Sequence, residues 1–250
     1  FQLEDWVSKR LKHENLLQCY THQSEKKYLF QSYEYLQGET LDRWLHQQKK
    51  PLQMEGILPI LQQTALALNA MHRLEMLHQD VRPENVMVLN VDNTLKVKLI
   101  DYGSTAVRGL VEINPKNANR ALGTLAFMAP EYFIDHSPSV HSDQFSLAVM
   151  AYYLLTKQLP YGTDLARCNS LKQLKKVQYH SIRKYRPDLP IWLDKILGQA
   201  LSIEPTHRFE ALSELIHNLT HPSKELLNSK PPAIIERDPL RFWQMSCAVL

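Results

Sequence analysis

The sequence predicts an α+β fold, mainly helical toward its C-terminal side. Two short apolar stretches, Val86 to Leu89 and Leu95 to Ile100, flank the polar run Asn90-Val91-Asp92-Asn93, the pattern of a β-hairpin closed by turn-forming residues. Upstream, Ile57, Leu58, Leu61, Ala65, Leu68 and Met71 recur at near-helical spacing and predict a long core helix. Downstream, almost every position from Phe145 to Leu155 is apolar, which predicts a helix buried on all sides. That run is too short and too well bounded to span a membrane.

The remaining elements follow in order. Pro59 lies near the start of the first long helix, where a missing N–H costs least if the helix begins at about Leu58 and more if it begins earlier. From Arg208 onward, Phe209, Leu212, Leu215, Ile216 and Leu219 predict an amphipathic closing helix. After Thr220, Pro222, Pro231, Pro232 and Pro239 interrupt any helix, so 220–238 reads as a linker. The last stretch, 239–250, holds Arg241, Phe242 and Trp243 and then an apolar run from Met245 to Leu250. Basic residues followed by aromatics and rising hydrophobicity often begin a transmembrane helix on its cytoplasmic side. The run is far short of the roughly 20 residues a span needs, and an amphipathic terminus packed on the domain accounts for it equally well.

Composition narrows the class. A chain of 250 residues, 44% of them hydrophobic, can bury one substantial core. A net charge of +3 argues against nucleic acid as an obligatory partner. Lys172, Lys175, Lys176, Arg183, Lys184 and Arg186 form a local basic patch, read as a solvated face ahead of a docking site for acidic substrate or lipid. Cys19, Cys168 and Cys247 are scattered without ligand spacing, which suits a reducing compartment and gives neither a zinc site nor a disulfide framework.

The chemistry lies in three motifs: His78-Gln79-Asp80-Val81-Arg82-Pro83-Glu84-Asn85, then Asp101-Tyr102-Gly103, then Ala129-Pro130-Glu131. The hairpin between the first two brings Asn85 and Asp101 side by side. In order and spacing the motifs resemble the catalytic half of a protein kinase. Phosphoryl transfer depends mostly on positioning and charge neutralisation. Asp80 can accept the proton of an attacking hydroxyl. Asn85 and Asp101 are oxygen ligands of the kind Mg²⁺ prefers. Arg82 offers a permanent positive charge to the transferring phosphate.

From Phe1 to about Leu219 the chain is similar to eukaryotic-type serine/threonine protein kinases. The resemblance implies a kinase domain over 1–219, with a mainly helical C-terminal lobe and an incomplete N-terminal β-lobe. Phe1-Gln2-Leu3-Glu4 and His13-Glu14-Asn15-Leu16-Leu17 resemble the family's αC helix and the connection after it, so Glu4 matches the glutamate that pairs with the ATP-binding lysine. Tyr33 to Leu41 resembles the hinge, with Tyr33 as gatekeeper and the backbone of Glu34 and Leu36 bonding adenine. Gly123-Thr124 resembles the substrate-docking segment, Thr124 bonding the catalytic aspartate. His141-Ser142-Asp143 matches the start of a buried helix, and Glu204 to Arg208 matches the site whose arginine pairs with Glu131.

Three departures matter. Gln79 stands where most members have an arginine that holds a phosphorylated loop, which argues against switching by loop phosphorylation. Arg82 replaces the usual lysine, keeping the charge but not the geometry. Nothing reads as a Gly-rich phosphate loop or a lysine-bearing strand, both of which belong before the αC helix. The expectation is a fragment whose first strands lie upstream, the rival a kinase-like domain that never had them.

Asp101 to Thr105 with Gly109-Leu110, Ala129 to Phe133, Arg208 to Glu214 and Glu236 to Trp243 resemble bacterial bifunctional kinase/phosphatase proteins. In that family a metal-dependent phosphatase domain precedes the kinase and a hydrophobic helix closes the chain. The resemblance tips the tail toward a membrane anchor and implies a cytoplasmic kinase held at the inner membrane, the phosphatase lying outside these residues. The implied activity is transfer of the γ-phosphate of Mg·ATP to a serine or threonine hydroxyl of a protein. A pseudokinase scaffold is the alternative. A small-molecule phosphotransferase is disfavoured by Thr124 and Ala129-Pro130-Glu131, which build a platform for protein substrates.

Overall fold

The computed structural model describes residues 2–21, 28, 30–92, 94–109, 125–134 and 137–228. Helix α1 (Gln2–Arg10) opens with Glu4 and Asp5 and closes with Lys9 and Arg10, charges that complement its dipole. Strand β1 (Cys19–Tyr20) pairs antiparallel with β2 (Ser32–Tyr33). These two-residue strands and α1 are the whole upper lobe among the described residues, matching the expected incomplete β-lobe.

The lower lobe begins with β3 (Glu39–Thr40) and α2 (Leu41–Gln47), where the Thr40 hydroxyl accepts the Arg43 N–H as an N-cap. Next come α3 (Met54–His72), β4 (Met76–Leu77), the hairpin strands β5 (Val86–Val91) and β6 (Thr94–Leu99), and β7 (Ala106–Val107). The order β3-β5-β6 makes one sheet and β4-β7 another, all pairs antiparallel. Helix α4 (Val140–Thr156) is followed by α5 (Leu171–Leu174), α6 (Ile191–Ala200), α7 (Leu212–Thr220) and α8 (Lys224–Leu227).

The core forms where α3, α4, α6 and α7 meet. Every residue of α4 from Ser142 to Leu155 except Tyr153 is buried, as the apolar run predicts. The helix starts at a capping box, Ser139 and Ser142 each bonding the other's backbone N–H, and stops where Lys157 turns left-handed (φ 55°). On α3 the inward stripe Ile57, Ile60, Leu61, Leu68 and Met71 is fully buried.

Three boundaries differ from the sequence pattern. Asn90 and Val91 belong to β5, so the turn is tighter than the four-residue polar run. A solvent-facing strand end is polar by nature, and polarity there does not mark a turn. Helix α3 begins at Met54, placing Pro59 in its second turn, where the missing N–H leaves the Glu55 carbonyl without its helical donor. Tertiary packing of the apolar stripe outweighs that loss. Helix α7 begins at Leu212; Arg208 and Phe209 precede it in non-helical backbone that directs Arg208 inward. Among the described residues no helix is long and apolar enough to cross a membrane. The tail from 229, on which the anchor expectation falls, lies outside them.

The two lobes meet at a close backbone approach. A Cβ on Gly38 would sit 2.3 Å from the Val88 carbonyl oxygen, so only glycine lets the chain before β3 lie flat on β5. Gly38→Ala is expected to cost on the order of 1–3 kcal/mol, as overpacking against rigid backbone does. Urea unfolding monitored by circular dichroism reads it, and an unchanged midpoint would contradict the contact.

Candidate active site

The loop after β4 is suspended from one buried carboxylate. Asp143, fully buried in the first turn of α4, accepts the His78 N–H (3.0 Å) and the His72 Nε2 (2.8 Å) on Oδ2 and the Gln79 N–H (2.9 Å) on Oδ1. Burial alone would raise its pKa, but the hydrogen bond and charge of His72, with help from His78 and the Gln79 N–H, hold the carboxyl below the usual range. This grip keeps Gln79 in left-handed backbone at φ 66°, an unfavourable conformation for a residue with a Cβ. His78 is buried edge-on to Tyr102, accepting the Asp80 N–H on Nδ1 (3.3 Å) and bonding the Ile100 carbonyl through Nε2 (3.2 Å).

The turn Pro83–Asn85 then brings Asn85 back over the loop. Its Nδ2 donates to the Asp80 carbonyl (2.8 Å) and to Asp80 Oδ2 (2.9 Å), while its own carbonyl accepts the Ile100 N–H (2.9 Å). Asp80 and Asn85 are therefore in contact, and Asp101 follows directly on the residue that Asn85 holds. Asp101 is exposed and left-handed (φ 67°), with Oδ1 accepting the Gly103 N–H (3.0 Å). Behind it, the Tyr102 hydroxyl bonds the Leu17 carbonyl (3.0 Å), and burial pushes that phenol up. Among the described residues no three His, Cys, Asp or Glu side chains gather as a metal cage. The donors present, the Asn85 amide oxygen and the Asp101 carboxylate, are hard oxygens that fit Mg²⁺ completed by phosphates and water.

Arg82 is engaged within the loop. Its Nε donates to Glu84 Oε2 (2.8 Å), a second nitrogen reaches Oε1, and the guanidinium stands 6.0 Å from the Phe127 ring centre. Burial would raise the Glu84 carboxyl; the hydrogen bond and charge of Arg82 bring it below its ordinary value. Arg82 thus keeps its charge beside Asp80 but shares it with a neighbour.

At the hinge, the Glu34 N–H donates to the Gln18 carbonyl (3.0 Å) and the Leu36 carbonyl accepts the Gly38 N–H (3.1 Å). The Glu34 carbonyl and Leu36 N–H are left without a partner among the described residues. The Glu34 side chain turns inward, where Oε1 accepts from the Lys98 ammonium (2.6 Å) and from the Gln18 N–H (2.8 Å). The Tyr33 hydroxyl donates to Gln31 Oε1 (2.8 Å) and stands 3.4 Å from a carboxylate oxygen of Glu4 on α1. Burial, with the Glu4 charge contributing, pushes the Tyr33 phenol up to about 12.

Below the loop, Arg208 grips Glu131 through two parallel bonds of 2.9 and 2.8 Å, both side chains buried. Its remaining donors go to the carbonyls of Ser202, His141 and Ile203, and Ser142 Oγ adds a 2.6 Å bond to Glu131. The ion pair expected from the sequence is present in full. Thr124 lies outside the described residues. Sequence reasoning did not find Lys98, which alternates with Lys96 along β6 like a solvated strand face, nor the pairing of Glu84 with Arg82. Asp143 is matched through the resemblance to the start of a buried helix, without its hold on the loop.

One face of the fold thus carries Asp80 bonded to Asn85, Asp101 delivered by the hairpin, and backbone groups of Glu34 and Leu36 without a partner among the described residues. The chain belongs to the protein kinase family: the family described as protein kinase domain matches residues 2–220. It is 25% identical over 215 residues to serine/threonine-protein kinase PrkC of Bacillus subtilis, covering 86% of this chain and 32% of that protein. It is 30% identical over 214 residues to serine/threonine-protein kinase pkn3 of Myxococcus xanthus, covering 83% and 39%. The chain thus spans between about a third and two fifths of these relatives' length. The fold matches the PknI kinase domain of Mycobacterium tuberculosis with a TM-score of 0.65 at 24% identity, covering 89% of this chain and 78% of that one.

Arg208→Ala strands a buried carboxylate and is expected to cost about 3–5 kcal/mol, read by chemical or thermal unfolding. The Glu131 carboxyl is held low by Arg208 against the opposing effect of burial, so its stabilising contribution is complete above the unfolded value near pH ~4.3 and is lost as pH falls through the lower folded value. The variant should accordingly lose less stability than the parent between pH ~5 and ~3. A parallel acid profile for the two proteins would count against the pairing.

Proposed function

We propose that the chain is the catalytic core of a protein-serine/threonine kinase that moves the γ-phosphate of ATP to a protein hydroxyl. The observation that carries it is the 2.9 Å bond joining Asp80 to Asn85, with Asn85 also holding the strand that delivers Asp101. Asp80 Oδ2 is occupied by Asn85, which leaves Oδ1 to take the hydroxyl proton as the substrate oxygen bonds to the γ-phosphorus and the bond to the β-phosphate oxygen breaks. The Asn85 amide oxygen and the Asp101 carboxylate would hold Mg²⁺, whose chemistry when bound is to neutralise phosphate charge. Arg82 stabilises charge on the transferring group once its bond to Glu84 is shared. The Glu34 carbonyl and Leu36 N–H receive adenine. Glu4 receives the nucleotide-binding lysine, and Thr124 orients Asp80.

Around this core we read 1–219 as the kinase domain, 220–238 as a linker and 239–250 as the start of a membrane helix that holds a cytoplasmic kinase at the inner membrane. The basic and aromatic residues Arg241, Phe242 and Trp243 support that reading of the tail. The likeness of the tail and catalytic motifs to bifunctional kinase/phosphatase proteins supports a phosphatase domain elsewhere in the full-length protein.

In the full-length protein, Asp80→Asn is expected to lower turnover by roughly 10²–10⁴-fold with ATP affinity little changed, the scale of losing a positioned general base. Asp101→Asn should raise the Mg²⁺ concentration needed for half-maximal activity. Radiolabelled phosphotransfer measures both, and near-normal turnover in Asp80→Asn would sink the assignment. Lys98→Met frees the Glu34 side chain and loosens the hinge, so ATP should bind about fivefold more weakly, on the scale of 1 kcal/mol, with kcat preserved. Calorimetric titration of nucleotide checks it.

A further inference from the structure

Positive charge is concentrated in one stretch of the chain. Between Pro160 and Arg186 stand Arg167, Lys172, Lys175, Lys176, Arg183, Lys184 and Arg186 against the single acid Asp164, while the whole chain carries only +3. The rest of the molecule is therefore net acidic. Part of the stretch is absorbed by the fold: Arg186 clasps Asp188 (2.9 and 2.7 Å) and the carbonyls of Leu52 and Leu155 (both 2.9 Å). The lysines on and just after α5 are not absorbed. Leu174 is buried and turns Lys172, Lys175 and Lys176 outward into solvent. Lys175 lies 3.4 Å from Glu204 in an open pair, and Lys172 and Lys176 have no acidic partner among the described residues. Lys172, Lys175 and Lys176 fall within five consecutive positions, all exposed, so their like charges repel and the cluster is relieved by an anion.

Its location selects the anion. The turn Leu165–Arg167, whose Arg167 is exposed and only 3.8 Å from Asp164 in a solvent-facing pair, packs against the turn Pro130–Phe133 that carries Glu131. At the other end, Glu204, the partner of Lys175, lies four residues before Arg208, which grips Glu131. Both ends of the basic strip are thus fixed to the segment read as the platform for the phosphoacceptor. We propose that Lys172, Lys175 and Lys176, with Arg167, dock an acidic stretch of the protein substrate beside that platform. The substrate class this adds rests on the kinase function proposed above.

Two labelled peptides test it, each with one serine, one carrying a run of glutamates and the other glutamines in their place. By fluorescence anisotropy at low salt the glutamate peptide should bind about tenfold more tightly, and the preference should fade at high salt. Lys172→Glu/Lys176→Glu should abolish the preference while leaving Tm unchanged. In phosphotransfer by the full-length protein the same double variant should raise KM for the glutamate peptide about tenfold at constant kcat, with the glutamine peptide unaffected. Equal binding of the two peptides by the parent protein, or a preference that survives charge reversal, would overturn the proposal. So would lysine-dependent binding to phosphatidylglycerol vesicles without any peptide preference. An intact glutamate preference with neither peptide phosphorylated would uphold the docking surface and refute the kinase reading instead.

Discussion

The buried carboxylate of Asp143 is the interaction on which the functional half depends. A lone charge at such depth would be strongly destabilising. Here it is tolerable because His72 and the backbone N–H groups of His78 and Gln79 all converge on it. The same three bonds define the path of the catalytic loop and hold Gln79 in its unfavourable backbone. The neighbours of Asp143 extend the arrangement: the His141 carbonyl accepts from Arg208 and the Ser142 hydroxyl donates to Glu131. Three consecutive residues at one helix end therefore tie the loop after β4, the turn Pro130–Phe133 and the closing helices to the rigid axis of α4.

The second organising constraint is the register of the β5–β6 hairpin. Val86 faces Leu99 across the ladder, so the residues just outside it, Asn85 and Ile100, meet through the 2.9 Å backbone bond. A slip of one residue would send Asn85 to the other face and separate it from Asp101. The hairpin also carries the upper lobe. Leu99 exchanges backbone bonds with Asn15 and Leu17, and Lys98 reaches Leu16 and Glu34. The segment at Glu34 and the loop ending at Asn85 are thereby referred to the same two strands, which brings together residues far apart in the chain.

The electrostatics divide along the same lines. Charges that position the site are buried and fully paired: Asp143, Glu131 and Arg208. Charges that would meet substrate are exposed: Asp101 and the lysines around α5. Buried pairs resist screening while exposed ones do not, so the scaffold should be insensitive to ionic strength and recognition sensitive to it.

Much of the site is legible in the linear sequence because its signals are local. Asp80, Arg82 and Asn85 fall within one loop, the hairpin is announced by two apolar stretches around a polar run, and α4 by its unbroken apolar run. Glu131 and Arg208 are recognisable through resemblance to a known family, since 77 residues separate them and no periodicity links them. The sequence by itself determined the class of chemistry, the long helices and the order of the catalytic pieces. Tertiary structure alone decided that α3 runs through Pro59, that Lys98 braces Glu34 and that Asp143 suspends the loop. Each of those depends on which groups are brought together after the chain has folded and on how much water is excluded around them, quantities that no local window of residues contains.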